Sequence, residues 1–442
     1  MNTLSGKPRF DTIKVLCQLD VGKNVFLDQK YSALIVSREY GKANRSLLVH
    51  LVRGVAKFRT SLDSIARQYL SRWERLSPVV RNALRVGIFQ LVLDLRTPSY
   101  AVVHESVELV RTFHESWSVP LVNAVLRHVA DERDRYHTEA AGWGMDCPDW
   151  LEQEWEQQIG REEVQRLKKS LALPPILYLR VNTLKITPED FLSRMLNQYS
   201  LSFSSFSLVP GALRTTADYS ELVELPEFGE GYFSIQDGAS QLMVHLFSPQ
   251  PGERVVDMCC GRGGKSVLMA QLMKNHGTLY AVDVNPDRLE RLMAGTMSMG
   301  VDIIHPVQAD ATKTLFEYDI KGVDRIFVDA PCSGFGTLRR NPEITLHRTR
   351  EDCRILADRQ VAILESSLSL LKPGGMISYC VCTQTEEETS DVVKVFESHR
   401  PGEVERIDLS DLTFLLVGSF GVDIWPYQYE TDGFFYTAWR KK

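Results

Sequence analysis

Two cysteines stand in the stretches of this 442-residue chain that are richest in chemically useful side chains. Cys332 lies in the run D-A-P-C-S-G-F-G, which opens with Asp329 directly after an apolar segment typical of a strand. Cys382 follows a second apolar segment, in the run Y-C-V-C-T-Q-T-E-E-E. The thiolate is the nucleophilic form of cysteine, and an ordinary thiol has a pKa of roughly 8.5, so catalysis requires surroundings that lower this pKa. The residue types predict a thiolate nucleophile beside a carboxylate that can stabilise its adduct.

Other interpretations of these thiols stay open at this level. Cys380 precedes Cys382 by two residues, and strand alternation points both to the same face, so Cys380 is a second candidate. Cys332 could be a small buried filler. The two thiols could also form a disulfide or bind a metal ion, but no histidine stands at ligand spacing. The eight cysteines fit neither a secreted disulfide framework nor a C-x-x-C zinc site, so we predict free thiols and no metal.

A glycine-rich turn between two apolar runs indicates a nucleotide-type site. Residues 254–265 read R-V-V-D-M-C-C-G-R-G-G-K, and the second apolar run ends at Asp283, 19 positions after Gly264. Such glycines let the backbone approach a ligand closely, and an acid after the next strand can bind ribose hydroxyls. The turn matches neither G-x-G-x-x-G nor a P-loop, because Gly261 lies only four positions before Lys265. A nucleoside without a triphosphate, such as S-adenosylmethionine, therefore fits best.

Alternating strand and helix patterns beyond residue 231 predict an α/β domain with a parallel sheet and crossover helices. Ligands of such sheets bind at the carboxyl ends of the strands. We therefore expect the polar side chains that follow these strands to share one edge. The predicted strands span residues 254–257, 278–283, 303–308, 325–329 and 376–381, with a late pair at 415–418 and 433–439, and the side chains at or just past their ends are Asp257, Asp283, Asp310, Asp329 and Cys382.

The first part of the chain differs in pattern and in charge. Residues 9–137 repeat apolar positions at helical spacing, Ser77-Pro78 is a typical helix start, and residues 131–148 look like a charged, irregular linker. Residues 1–140 carry 21 Lys and Arg against 14 Asp and Glu, although the whole chain has a net charge of −6. This balance fits either a surface for an anionic polymer or a solvated helix surface. Six arginines contribute to it: Arg45, Arg53, Arg59, Arg81, Arg85 and Arg127.

Composition excludes several classes of protein. Hydrophobic residues make up 44% of the chain and charged residues 24%, as in ordinary globular proteins. No apolar run reaches the roughly 18 residues of a membrane span. The first ten residues contain no apolar signal core. We therefore expect a cytoplasmic protein without a membrane partner.

Together these motifs resemble the Sun/Fmu family of RNA cytosine-C5 methyltransferases, in particular its bacterial small-subunit rRNA type. The resemblance covers nearly the whole chain. The family turn D-x-C-A-A-P-G-G-K corresponds to residues 257–265, D-A-P-C-S-G-x-G to 329–336, and Y-x-T-C-S to 379–383. The closing D-G-F-F-Y matches residues 432–436. Residues 77–91, 101–110 and 122–127 resemble the NusB-type helical RNA-binding domain.

The resemblance implies a multidomain protein with an all-α NusB-like bundle at residues 1–140 and an α/β Rossmann-like methyltransferase domain at residues 231–442. Residues 148–230 read as a small α+β (RRM-like) module, in which the alternating Phe and Ser of residues 202–208 predict a strand. The implied partner is RNA, either small-subunit rRNA or its precursor, and we expect a monomer.

The resemblance also implies roles for individual residues. Cys382 would be the nucleophile, adding to carbon 6 of cytosine so that carbon 5 can accept a methyl group. Cys332 would help to release the product, and Asp329 is placed to stabilise the adduct at ring nitrogen 3. S-adenosyl-L-methionine would be bound by Cys259, Cys260, Gly261, Arg262, Gly263, Gly264, Lys265, Asp283, Asp310 and Asp329.

The turn departs from the family pattern at three positions. Arg262 replaces the family proline, and Cys260 and Gly261 replace two alanines. This altered turn motivates a second hypothesis, an RNA-binding assembly factor whose methyltransferase domain has decayed. A third hypothesis keeps the chemistry but takes transfer RNA as the substrate. The NusB-like segment favours ribosomal RNA.

Overall fold

The computed structural model describes residues 7–21, 27, 40–313, 315 and 318–442. The helical prediction for residues 9–137 therefore falls partly outside the described residues. The chain divides into two compact units, one made of residues up to Pro174 together with Leu338–His347, the other of Pro175–Thr337 together with Arg348–Lys442. In the described part, no helix is both long and apolar enough to span a bilayer.

The first unit consists of helices packed around one apolar core. Helix Pro78–Val92 begins where the Oγ atom of Ser77 accepts a hydrogen bond from the backbone nitrogen of Val80, with proline at a position that needs no backbone donor. Val80, Leu84 and Ile88 are buried, which confirms the predicted helix start. The helices of this unit are Pro8–Val21, Lys42–Lys57, Arg59–Tyr69, Pro78–Val92, Ser99–Thr112, Val119–Asp131, Arg133–Ala140, Asp149–Ile159, Arg161–Ala172 and the short Ile344–His347, with 3-10 turns at Trp73–Arg75 and Ser116–Ser118.

Residues 131–148 are only in part the irregular linker that was predicted. Helix Arg133–Ala140 lies within this stretch, because Tyr136 and Ala140, one helical turn apart, are buried in the core of the unit. The Tyr136 hydroxyl lies 2.8 Å from the hydroxyl of Tyr69. The prediction was wrong for residues 133–140, because the surrounding charged residues conceal this short apolar contact, whereas residues 141–148 form neither helix nor strand.

One of the six arginines does not lie on the surface. The Arg85 side chain is 2% exposed, and its guanidinium donates hydrogen bonds of 2.6 and 2.8 Å to the carboxylate of Asp63. It also lies 3.5 Å from Asp20, whose other oxygen is 2.6 Å from Arg59. Part of the positive balance of this region is therefore neutralised by buried carboxylates, and Arg85 is not available to a ligand.

The segment Leu338–His347 is built into the first unit although it is distant in sequence. Leu346 packs against the helical core. The Oε1 atom of the buried Glu343 accepts a hydrogen bond of 2.9 Å from the backbone nitrogen of Leu27. The N-terminal unit is therefore discontinuous along the chain.

The second unit starts with a four-stranded antiparallel sheet in the order β2-β3-β1-β4. Phe191 and Met195 of helix Pro188–Tyr199 pack against this sheet. The strand predicted over residues 202–208 is only two residues long, because the chain turns again directly after it. The strands are β1 (Leu177–Val181), β2 (Ser204–Ser205), β3 (Ala212–Thr215) and β4 (Phe233–Ile235), and two further short helices are Tyr219–Val223 and Pro226–Gly229.

A nine-stranded sheet forms the rest of the second unit, in the order β11-β12-β13-β9-β8-β5-β6-β7 with β10 beside β13. Strands β5 to β9 pair in parallel, and β10 to β13 add an antiparallel edge. This arrangement confirms the predicted parallel sheet. The strands are β5 (Arg254–Asp257), β6 (Thr278–Asp283), β7 (Ile304–Gln308), β8 (Val323–Asp329), β9 (Leu371–Val381), β10 (Val404–Arg406), β11 (Leu416–Val417), β12 (Val422–Ile424) and β13 (Phe434–Lys441). The helices that accompany this sheet are Gly238–Phe247, Gly264–Leu272, Pro286–Met299, Arg350–Leu368, Ser390–His399 and Pro426–Tyr429. Two 3-10 turns lie at Phe335–Thr337 and Glu386–Glu388.

The register of the parallel strands aligns their carboxyl ends. Asp257 at the end of β5 pairs with Ala281 of β6 and with Phe327 of β8. Asp329 at the end of β8 pairs with Cys380 of β9. The loops that follow these strands therefore leave the sheet from the same edge.

Asp423 in β12 is a carboxylate of the antiparallel edge that is largely enclosed by protein. No donor or cation of the described chain contacts its carboxylate, and burial raises its pKa from 3.8 to about 7. Because the folded pKa exceeds the unfolded one, the free energy of unfolding should fall as the pH rises from about 4 to about 7 and stay low above that range. Asp423→Asn should remove this loss and raise the free energy of unfolding at pH 8 by on the order of 1 kcal/mol.

Urea unfolding at pH 5 and pH 8 measures this effect. Asp411→Asn changes an exposed aspartate nearby and is the matched control. An identical pH dependence in wild type and Asp423→Asn would contradict the prediction.

Candidate active site

The glycine-rich turn connects β5 to helix Gly264–Leu272 and is tied to the end of β6. Gly261 and Gly263 have φ angles of 58° and 81°, in the left-handed region that favours glycine. A Cβ atom on Gly263 would lie 1.9 Å from Cδ1 of Leu292, so a side chain cannot fit there. The backbone nitrogen of Gly261 donates a hydrogen bond of 3.0 Å to Oδ2 of Asp283. The turn and the predicted ribose-binding acid are therefore one connected structure.

The remaining turn residues differ in exposure. Cys260 is buried in an apolar cluster, and burial raises its pKa. Cys259 is partly exposed as a residue, but its thiol group is enclosed, and this burial likewise raises the pKa of the thiol. Neither cysteine is therefore a candidate thiolate. The Arg262 side chain, which stands where the resembling family has proline, is exposed.

A cavity of about 290 Å³ begins directly after Asp283. Asp310, a predicted cofactor-binding residue, lies on its wall together with Val284 and Tyr318, which the sequence did not single out. Val284 is 55% exposed, which is unusual for an apolar residue that follows a buried strand. The carboxylate of Asp310 accepts hydrogen bonds from the backbone and side chain of Thr312, which lower its pKa. The cavity is lined by Val284, Gln308, Ala309, Asp310, Lys313, Leu315 and Tyr318.

Asp257 lies beneath the turn and is fully buried. Its Oδ2 atom accepts a hydrogen bond of 2.6 Å from the hydroxyl of Ser266, and its Oδ1 atom has no partner among the described residues. Burial raises the pKa of this carboxyl to about 7. Burial thus disfavours the charged form of Asp257 under the turn.

Lys265 and Asp329 form an ion pair at the carboxyl edge of the sheet. The Nζ atom of Lys265 lies 2.6 Å from Oδ2 of Asp329. Burial acts to lower the pKa of Lys265, but the carboxylate of Asp329 outweighs it, and the pKa lies above its ordinary value. The Cys380 thiol donates to Oδ1 of Asp329 at 3.5 Å and is fully buried, and burial raises its pKa. Cys380 therefore lacks the exposure that a nucleophile toward a large substrate requires.

Cys332 and Cys382 meet at the same edge. Their Sγ atoms lie 3.2 Å apart, and both residues are partly exposed free thiols. The hydrogen bond with Cys382 raises the pKa of the Cys332 thiol, and burial and the nearby carboxylates raise it further. Among the described residues, no group of His, Cys, Asp and Glu is arranged to hold a metal ion.

The backbone around these thiols is closely packed. The nitrogen of Gly336 donates a hydrogen bond of 2.9 Å to the carbonyl oxygen of Cys382. A Cβ atom on Gly336 would lie 2.1 Å from the carbonyl oxygen of Gly433, so glycine is required where the two motifs touch. Lys265, Asp329, Cys332 and Cys382, which come from three separate motifs, lie together at this edge; the sequence predicted Asp329 and Cys382 at a shared edge and Lys265 only as a cofactor-binding residue.

Comparisons with known protein families match all three parts of the chain. The model described as 16S rRNA methyltransferase RsmB/F matches residues 244–440. The NusB family model matches residues 7–131, and the ferredoxin-like domain of RsmF/B-like methyltransferases matches residues 147–220. These matches confirm a NusB-like helical domain, a small module and a methyltransferase domain. The boundaries 1–140, 148–230 and 231–442 stay a prediction.

Individual proteins are similar over nearly the whole chain. The probable ribosomal RNA small subunit methyltransferase B of Bacillus subtilis (strain 168) is 30% identical over 94% of this chain and 96% of its own. The corresponding enzyme of Xanthomonas campestris is 29% identical over 90% and 89%. The crystal structure of PH0851 shares the fold, with a TM-score of 0.78 at 24% identity over 98% of this chain and 99% of that one. A methyltransferase homolog protein from Pyrococcus horikoshii gives a TM-score of 0.56 at 29% identity over 66% and 94%.

Proposed function

The chain belongs to the RsmB/F family of 16S rRNA methyltransferases, and from this premise we propose that it methylates carbon 5 of a specific cytosine in small-subunit rRNA. One observation carries the proposal. The two partly exposed thiols of Cys332 and Cys382 lie 3.2 Å apart beside the Lys265–Asp329 pair. Carbon 5 of cytosine is a poor nucleophile until a thiolate adds to carbon 6, so a reactive thiol is the group that this chemistry needs.

The cofactor is S-adenosylmethionine. When bound, it supplies a methyl group on a positively charged sulfur. The residues of the described chain fit this molecule, because the glycine turn leaves open space at Gly261, whose backbone nitrogen binds the Asp283 carboxylate, and Val284, the next residue, lines the 290 Å³ cavity. In the proposed site Asp283 binds the ribose hydroxyls, and Val284 and Tyr318 enclose the adenine.

The proposed reaction begins with the Cys382 thiolate. Its sulfur forms a bond to carbon 6 of the cytosine, and the electron pair of the ring double bond moves toward carbon 5 and nitrogen 3. The charge that develops at nitrogen 3 is neutralised by a proton, which Asp329 in its acid form donates, and Lys265, 2.6 Å from Asp329, supplies positive charge beside it.

Release requires two bonds to break. After carbon 5 has accepted the methyl group, a base takes the proton from carbon 5. The electron pair of that C–H bond forms the double bond between carbons 5 and 6 while the bond between carbon 6 and Sγ of Cys382 breaks, and the electron pair of the broken bond returns to the sulfur. Cys332 lies 3.2 Å from this sulfur and can donate a hydrogen bond to the departing thiolate.

Ribosomal RNA is the proposed substrate because the first unit matches the NusB family and carries an excess of positive charge over residues 1–140. Phosphate contacts supply much of the affinity of proteins for RNA. The buried Arg85 cannot contribute, so the proposed RNA contacts belong to other arginines of the unit.

Cys382→Ala should lower methyl transfer by at least about a thousandfold, because it removes the sulfur that in the proposed reaction attacks carbon 6. The affinity for S-adenosylmethionine should stay near that of the wild type. Transfer of a tritiated methyl group to an unmodified 16S rRNA transcript measures the first quantity, and calorimetric titration the second. Cys147→Ala, which changes a thiol of the first unit, is the control. Full turnover by Cys382→Ala would end the assignment.

Cys332→Ala should accumulate a covalent complex with RNA, because attack by Cys382 remains possible while release loses its hydrogen-bond donor. A denaturing gel with radiolabelled 16S rRNA transcript detects the complex as a slowly migrating band that protease removes. The absence of any complex, with transfer unimpaired, would count against this role of Cys332.

Asp283→Ala should weaken the binding of S-adenosylmethionine by about tenfold to a hundredfold, because a lost hydrogen bond to a charged group costs about 1.5–3 kcal/mol. Glu290→Ala, an exposed acid on the following helix, is the matched control. Calorimetric titration gives both affinities. Equal affinity in wild type and Asp283→Ala would place the cofactor elsewhere, whereas no binding to the wild type would favour an RNA-binding assembly factor.

A further inference from the structure

Glu388 is a fully buried carboxylate that none of the proposed chemical steps uses. Its Oε1 atom accepts hydrogen bonds from the backbone nitrogen of Ser333, at 2.8 Å, and from Nε2 of Gln360, at 3.0 Å. Its Oε2 atom accepts a hydrogen bond of 3.0 Å from the hydroxyl of Thr385. One side chain therefore holds three groups that are far apart in sequence.

This carboxylate fixes the backbone on both sides of Cys332. Ser333, which follows Cys332, binds Glu388 directly. Pro331, which precedes Cys332, accepts a hydrogen bond of 3.0 Å at its carbonyl oxygen from Nε2 of Gln360, the group that also binds Glu388. The Cys332 thiol is thus carried by a short segment with an anchor at each end.

The segment that carries Cys382 is joined to the same network. The hydroxyl of Tyr379, near the end of β9, donates a hydrogen bond of 2.6 Å to the carbonyl oxygen of Glu388. The hydroxyl of Ser333 donates one of 3.0 Å to Oγ1 of Thr383, the residue after Cys382. The segments that carry the two thiols, whose sulfurs lie 3.2 Å apart, are therefore both connected to Glu388, the Cys332 segment through its carboxylate and the Cys382 segment through its backbone carbonyl and through Ser333.

Hydrogen bonds alone stabilise this buried charge. No lysine, arginine or histidine of the described chain is paired with Glu388, and burial raises its pKa. A buried charge without a counter-ion costs stability, and a neutral residue of similar size would fill the same space at lower cost. A carboxylate suits this position near the two thiols, because its two oxygens can accept hydrogen bonds from all three donors at once.

We propose that Glu388 is a positioning residue for product release, which holds the Cys332 thiol at the distance where it can donate to the departing sulfur of Cys382. This inference rests on the proposed function. Without the carboxylate, the Cys332 segment loses its anchor at Ser333, and Nε2 of Gln360 loses one of its two acceptors. Cys382 follows directly on β9, and the Tyr379 bond goes to the backbone carbonyl of Glu388, which the substitution leaves in place, so attack and methyl transfer continue while release slows.

The test uses full-length Glu388→Ala and Glu388→Gln with S-adenosylmethionine and an unmodified 16S rRNA transcript. Glu388→Ala should accumulate at least about ten times the covalent complex of the wild type on a denaturing gel, with cofactor affinity within about threefold. Glu388→Gln keeps an oxygen that can accept from Ser333 and Gln360, so its level of complex should stay within about threefold of the wild type. A purely structural role would lower cofactor binding and transfer together, without any complex.

Glu386→Ala, an exposed acid in the same turn, is the matched control and should behave as the wild type. If circular dichroism shows that Glu388→Ala is unfolded, Gln360→Met becomes the deciding variant. This substitution removes the donor that binds Pro331 and Glu388, so it should also accumulate the covalent complex. Turnover by the deciding variant without excess complex would overturn the inference. Cys332→Ala separates failure of this inference from failure of the proposed function. If Cys332→Ala accumulates the covalent complex and the deciding variant does not, only the role of Glu388 is refuted. If Cys332→Ala accumulates no complex, the proposed release step itself is refuted.

Discussion

The pairing of β8 with β9 determines where the two thiols lie. Asp329 is opposite Cys380 in the register of these strands, so the loops that follow them leave the sheet side by side. Cys332 comes three residues after one member of this pair and Cys382 two residues after the other, and their sulfurs end 3.2 Å apart. A slip of one residue would turn every apolar side chain of a strand to the opposite face. The burial of both faces of the sheet therefore maintains the geometry of the thiols.

Three aspartates converge at this edge, and each is accommodated by a different physical means. Asp257 is buried with one unpaired oxygen and a raised pKa. Asp283 accepts hydrogen bonds from the backbone nitrogens of the glycine turn and of Asn285, which spread its charge. Asp329 is paired with Lys265. Like charges at close range destabilise one another, so this division allows the site to present carboxylates to a cofactor and a nucleobase without mutual repulsion.

Much of this arrangement could be predicted from the sequence, because apolar runs that end in glycine or acid define where buried strands stop. Strands β5 and β6 match the predicted residues 254–257 and 278–283 in full. The rest depended on contacts between distant residues. Arg85 looked like a surface cation because its partners Asp20 and Asp63 lie on other helices. Glu388 is one of three consecutive acids in the sequence, and nothing local indicates that its side chain is fully buried while that of Glu386 is exposed. The cavity residue Val284 was missed because an apolar residue after a strand ordinarily continues the core.

The discontinuous first unit has a consequence for how the protein is made. Its helices are synthesised early, but the segment Leu338–His347, which supplies the partner of the Leu27 backbone and an apolar side chain for the core, emerges only after most of the second unit. The N-terminal helices are therefore synthesised before their core can be completed, and strands β1 to β8 are translated in between. Fragments that end before residue 338 lack part of the core of the first unit. A separately expressed N-terminal unit therefore also needs this ten-residue segment.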